Sequence, residues 1–127
     1  MGYCSEVGLA LTKKGVETMQ HSLASPAIAP ETRERIRDFF DHADKHARDE
    51  ESGHEAWYWD YLKWYDDDPA HFPEVDFAEK LMAELDAADF RFIRIGEDYE
   101  DTEVRGSFWE NSFDMELGRS ISFSQAV

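Results

Sequence analysis

Residues 55–65 read Glu55-Ala56-Trp57-Tyr58-Trp59-Asp60-Tyr61-Leu62-Lys63-Trp64-Tyr65. Aromatic side chains suit the pleated, half-buried surface of a β-strand. Trp57, Trp59, Tyr61 and Tyr65 sort onto one face, and Tyr58, Leu62 and Trp64 onto the other. Large rings on both sides predict a central strand, at least partly covered on each face. Core packing is the first use of such a cluster, and stacking of a ligand is its rival. Gly53 before the strand suits a turn, and Asp66-Asp67-Asp68-Pro69 after it closes it.

Toward the C-terminus, Pro73 opens a helix whose apolar stripe holds Phe77, Ala78, Leu81, Met82, Leu85 and Ala88. Phe90-Arg91-Phe92-Ile93-Arg94-Ile95 predicts a further strand, ended by Gly96. Residues 97–103 form a loop or a strand edge. From Trp109 on, Phe113, Met115, Leu117, Ile121 and Phe123 take odd positions, while Glu110, Ser112, Asp114, Glu116, Ser120 and Ser122 take even ones. That alternation predicts one long strand or a hairpin, kinked near Gly118, with a buried odd face and a wet even face.

Toward the N-terminus, Ile36, Phe39, Phe40, Ala43 and Ala47 repeat at helical spacing and predict an amphipathic helix over 31–48, started by Pro30 and stopped by 49–53. Pro26 and Pro30 break the chain before it. Val16, Met19 and Leu23 predict a short helix over 13–23 with Thr12 as its N-cap. Residues 3–11 predict a strand with one buried face, carrying Val7, Leu9 and Leu11, opposite Glu6, Gly8 and Ala10. The order β-α-(α)-β-α-β-β indicates an α+β fold. It is two-layered, with helices on one face of a mostly antiparallel sheet, in a ferredoxin-like topology or a variant of it. A chain of 127 residues fits one domain over 1–127.

Charge is distributed unevenly. Residues 1–48 hold seven acids and seven bases, and residues 49–127 hold 22 acids and six bases, so the second part supplies the whole net charge of −16. The densest run, 97–103, puts Glu97, Asp98, Glu100, Asp101 and Glu103 in seven positions. Such a field repels phosphate backbones and anionic membranes and attracts basic surfaces. Direct nucleic-acid binding is therefore not expected. Nine Phe, five Tyr and four Trp exclude a wholly disordered acidic tail.

Catalytic patterns are missing from the sequence. His42 and His46 stand four apart on the expected helix, a spacing that can share a metal, but Ala43 stands where a zinc protease carries Glu. A solvated helix face is the competing reading. Asp98, Glu100 and Asp101 offer oxygens to calcium without the EF-hand pattern. Carboxylate pairs arise by chance among 29 acids. The expectation is no enzyme, no metal and no cofactor. The only cysteine, Cys4, reads as a small core residue in a reduced, intracellular setting. The N-terminus lacks the basic and apolar regions of a signal peptide, and Glu6 stands where myristoylation wants Ser or Thr.

The acidic run is expected either as a solvated loop or as a recognition surface whose carboxylates imitate nucleic-acid phosphates. In the second case Glu97, Asp98, Glu100, Asp101 and Glu103 are the main contacts, with Asp66, Asp67 and Asp68 secondary.

Three blocks carry a resemblance: Met1-Gly2-Tyr3-Cys4-Ser5-Glu6-Val7, Lys63-Trp64-Tyr65-Asp66, and Phe92-Ile93-Arg94-Ile95-Gly96-Glu97-Asp98. Together the chain resembles a group of small acidic proteins encoded by phages and prophages, most of them without assigned function. The blocks cover about a quarter of the chain and read as structural. The resemblance implies an anti-defence role, such as an anti-CRISPR inhibitor in the bacterial host's cytoplasm. Its partner would be the basic surface of a nucleic-acid-binding defence protein, with a CRISPR effector as the candidate. The alternative is a self-associating structural or morphogenetic phage protein, joined through the even face of 109–123 or a sheet edge.

Overall fold

A computed structural model describes residues 3–98, 100–108, 113, 115–117 and 121–122. Strand β1 (Ser5–Leu11) is followed by helices α1 (Lys13–Leu23) and α2 (Pro30–Asp41). Strands β2 (Lys45–Arg48) and β3 (Glu55–Leu62), helix α3 (Pro73–Glu84), a 3-10 turn (Ala87–Asp89) and strands β4 (Phe90–Ile95) and β5 (Thr102–Arg105) complete the main body. A short pair, β6 (Glu116–Leu117) and β7 (Ile121–Ser122), follows.

The five strands lie in the order β2-β3-β1-β4-β5, and every neighbouring pair is antiparallel. β1 and β2 therefore point the same way with β3 between them, and β3 and β4 point the same way with β1 between them. Two interleaved split β-α-β units of this kind make the ferredoxin-like arrangement, here with β5 added at one edge. The architecture is α+β, as the sequence predicts.

Helices cover one face of the sheet. Val7, Leu9 and Leu11 of β1, Trp57 and Trp59 of β3 and Phe92 of β4 pack there with Val16, Met19, Ile36, Phe40, Phe77 and Leu81. The indole N–H of Trp59 donates to the carbonyl of Phe39 at 3.1 Å, and the two rings stack 4.5 Å apart. Thr12 caps α1 by accepting from Gly15 N–H, and its hydroxyl donates to Asp89, which ties the helix start to the turn before β4.

The opposite face is covered as well. Ala10 pairs with Ala56, and Ala56 with Ala47, so three alanines form a row across three strands. These small residues and Ile93 pack with Phe108, Phe113, Met115 and Ile121 from the C-terminal part of the chain. The expectation of one buried face for β1 is thereby corrected: Gly8 and Ala10 are buried too, because the C-terminal residues fill the trough they leave. Of the expected 109–123 strand, Phe113, Met115 and Ile121 are buried odd positions. Trp109, Glu110, Ser112, Asp114, Gly118, Ser120 and Phe123 lie outside the described residues.

Three further boundaries differ from expectation. The helix expected over 31–48 stops at Asp41, and Lys45–Arg48 forms β2 instead. Ala43 and Ala47 continue the helical spacing but are small enough to suit either period, and the backbone of β3 offers partners along its edge. Tertiary pairing outweighs local propensity here. Leu62 and Trp64, expected opposite Trp57 and Trp59, pack in the same helix-side core. The β1–β3 register shifts between Ser5↔Leu62 and Val7↔Trp59, so β3 spends an extra residue against β1 and its side-chain parity reverses. Ala88, expected on the apolar stripe of α3, sits exposed in the 3-10 turn. Among the described residues no helix is long and apolar enough to cross a membrane.

Candidate functional site

The sheet topology gathers the acidic segments at one end. β1 starts where β3 and β4 finish, with Ser5 opposite Leu62 and Glu6 opposite Ile95. The segment 63–68 and the loop 96–101 both leave the sheet there. Tyr3 fastens them together. Its backbone N–H donates to the Tyr65 hydroxyl at 2.7 Å, its own hydroxyl donates to Asp101 at 2.6 Å, and that hydroxyl accepts from Asp98 N–H at 3.0 Å.

The eight carboxylates expected at the site divide into two kinds. Asp101 and Glu103 are held inside the protein's own ion pairs. Arg94 donates to Asp101 at 2.8 and 3.1 Å and to Glu103 at 3.1 Å, and Arg105 lies 3.5 Å from Glu103 and 2.9 Å from Glu79. The Arg94 and Tyr3 hydrogen bonds hold the Asp101 carboxyl below its ordinary pKa, and the Asp101 carboxylate in turn raises the Tyr3 phenol. Glu97 is exposed while one of its oxygens accepts from Cys4 N–H. Asp98 and Glu100 are exposed and form no ion pair among the described residues. Asp66 and Asp67 are exposed, whereas Asp68 pairs with His71 at 3.0 Å. Asp98 and Asp101 also bracket a tight turn, in which Asp101 N–H donates to the Asp98 carbonyl at 2.9 Å.

The sheet face at this end carries further acids. Tyr58 donates its hydroxyl to Glu6 and, at 3.3 Å, lies beside Asp60. Burial and these carboxylates push the Tyr58 phenol well above its ordinary pKa. Lys45 lies over the Tyr58 ring, 5.3 Å from its centroid. Tyr61, expected beside Trp57 and Trp59, is 71% exposed.

The histidine pair is corrected. With α2 ending at Asp41, His42 caps the helix and His46 belongs to β2, so they do not share a helix face. His42 Nδ1 lies 2.9 Å from the carbonyl of Asp38, and His46 bonds Glu55 and stacks on Trp57. Among the described residues no group of three or more His, Cys, Asp or Glu side chains could hold a metal ion. The Trp57, Trp59 and Trp64 cluster is core. Sequence reasoning missed Tyr3, Arg94, Arg105 and the exposure of Tyr61. The Tyr3 block lay within the resemblance, but only the sheet register reveals what its hydroxyl reaches. No family model matches this sequence, and no curated protein or solved structure is significantly similar to it.

Proposed function

We propose that this chain is a phage-derived, non-enzymatic interaction protein. It binds the basic, nucleic-acid-binding surface of a host defence protein, for which a CRISPR effector is the candidate, and blocks it. The observation that carries this reading is the convergence of two acidic segments at one end of the sheet, fastened by Tyr3, with Asp98 and Glu100 unneutralised among the described residues. Arg94 is spent on Asp101 and Glu103, which makes those two the scaffold of the loop. Glu97, Asp98 and Glu100, with Asp66 and Asp67, are left for a partner. Carboxylates on a braced loop present fixed negative charge, and a groove built for phosphates is attracted to it whatever the polyanion.

The test is capture from nuclease-treated bacterial lysate with the wild-type chain and with a Glu97→Lys, Asp98→Lys, Glu100→Lys variant, read by mass spectrometry. A basic nucleic-acid-binding protein retained by the wild type and lost by the variant is expected. Equal retention by both proteins would overturn the reading.

The competing reading is self-association through a sheet edge. β2 and β5 end the five-stranded sheet. Both are four residues long and carry charge, Lys45 and Arg48 on one, Glu103 and Arg105 on the other. Short, charged edges are how proteins discourage edge pairing, so this reading ranks second.

A further inference from the structure

We propose that Tyr61 is the anchor of the acidic surface and that it takes an arginine side chain of the partner. The guanidinium lies on the open face of the ring, and the carboxylates beside it take its N–H groups. This rests on the binding reading above and names the chemistry of its contact.

Tyr61 is the most exposed large apolar side chain among the described residues, at 71%, in a strand whose other aromatic residues are buried. Its exposure has a backbone cause. The register shift between β1 and β3 turns Leu62 toward the helix-side core and leaves Tyr61 on the opposite face, past the residues that Phe108, Phe113, Met115 and Ile121 cover. Bulges of this kind re-aim single side chains. Leu62 pairs with Ser5, next to Cys4, whose N–H donates to Glu97, so the strand register brings Tyr61 to the end of the sheet where Glu97 is bound. Cys4 and, more weakly, Glu97 raise the Tyr61 phenol pKa. Asp60 precedes Tyr61 in the strand.

The neighbouring tyrosine shows the same chemistry satisfied within the chain. Tyr58 carries Lys45 over its ring, with Glu6 and Asp60 at its hydroxyl. Tyr61 repeats the combination of ring and carboxylate with the ring left open. Arginine fits better than lysine. Its planar guanidinium stacks on a ring while its fork of N–H groups still reaches a carboxylate, whereas an ammonium is a compact point charge. Tyrosine and arginine are also the residues that concentrate binding energy at interfaces.

The probes are fluorescently labelled octa-arginine and octa-lysine peptides, equal in charge, titrated by anisotropy at low salt. The wild-type chain should bind octa-arginine about fivefold more tightly than octa-lysine. Tyr61→Ala should remove that preference, weakening octa-arginine more than octa-lysine, while Tyr61→Phe keeps it. A side chain this exposed leaves the fold intact when truncated, which an unchanged thermal midpoint would confirm. Equal affinity for the two peptides, or a preference that survives Tyr61→Ala, would overturn the anchor and leave the acidic surface standing. Failure of both peptides to bind would overturn both.

Discussion

Arg94 sets the character of the acidic loop. It sits between Asp101 and Glu103 with its guanidinium largely buried, so two of the five clustered carboxylates are countered within the chain. The Asp101 carboxyl is held below its ordinary value by Arg94 and by the Tyr3 hydroxyl. A depressed carboxyl contributes stability that is complete above its unfolded pKa, about 3.9, and is lost as pH falls through the lower folded value. Asp101→Asn should therefore cost about 1 kcal/mol or less at pH 7, because the pair is partly exposed. Measured by urea midpoints, its deficit against wild type should shrink at pH 3. A deficit that does not change with pH would contradict the pairing. Gly106 is the second informative position. Its φ is +84°, and an added Cβ would stand 2.0 Å from the carbonyl oxygen of Phe90. Gly106→Ala should lower stability by at least about 1 kcal/mol by thermal or chemical unfolding. Neither feature was legible in the sequence. Arg94 meets Glu103 only through the β4–β5 register, and that register depends on how the loop turns.

The elements divide by how strongly their own pattern specifies them. α1 and β4 carry a repeated apolar period with threonine or glycine at an end, and they stand where the sequence puts them, while α3 starts at Pro73 as expected but stops at Glu84, before Ala88. β2 was missed because four residues with one buried alanine have no period of their own, and only the edge of β3 makes them a strand. The face assignments of Leu62 and Trp64 were missed because one extra residue in a bulge reverses every later side chain. The burial of Phe113, Met115 and Ile121 was legible. Their destination, the small-residue face of the sheet, was not, because alanines at 10, 47 and 56 align only after the strands pair. That arrangement predicts a symmetry in the energetics. Phe113 on one face and Phe92 on the other are both fully buried. Phe113→Ala and Phe92→Ala should each cost about 3–5 kcal/mol in equilibrium unfolding. A Phe113→Ala cost below about 1 kcal/mol would mean that the C-terminal residues do not close that face. Ala56→Leu should cost about 1–3 kcal/mol by overfilling the same trough.

At the scale of the whole molecule, which carries a net charge of −16, the topology brings two acidic segments to one end. Both acidic segments emerge at the end of the sheet where β1 begins, so charges that lie about thirty residues apart in sequence share one end of the fold. The sequence showed that the acid was there, and the strand order shows which carboxylates share an end. Attraction between exposed charges weakens with salt. The complex should therefore dissociate as ionic strength rises, and its association rate should fall faster than its dissociation rate climbs. A nucleic-acid mobility shift with the captured partner, titrated with this chain, reads the competition itself. The partner's nucleic acid should be released as the chain approaches equimolar amounts, and the Glu97→Lys, Asp98→Lys, Glu100→Lys variant should release none. A partner that keeps its nucleic acid while bound to the chain would contradict that competition.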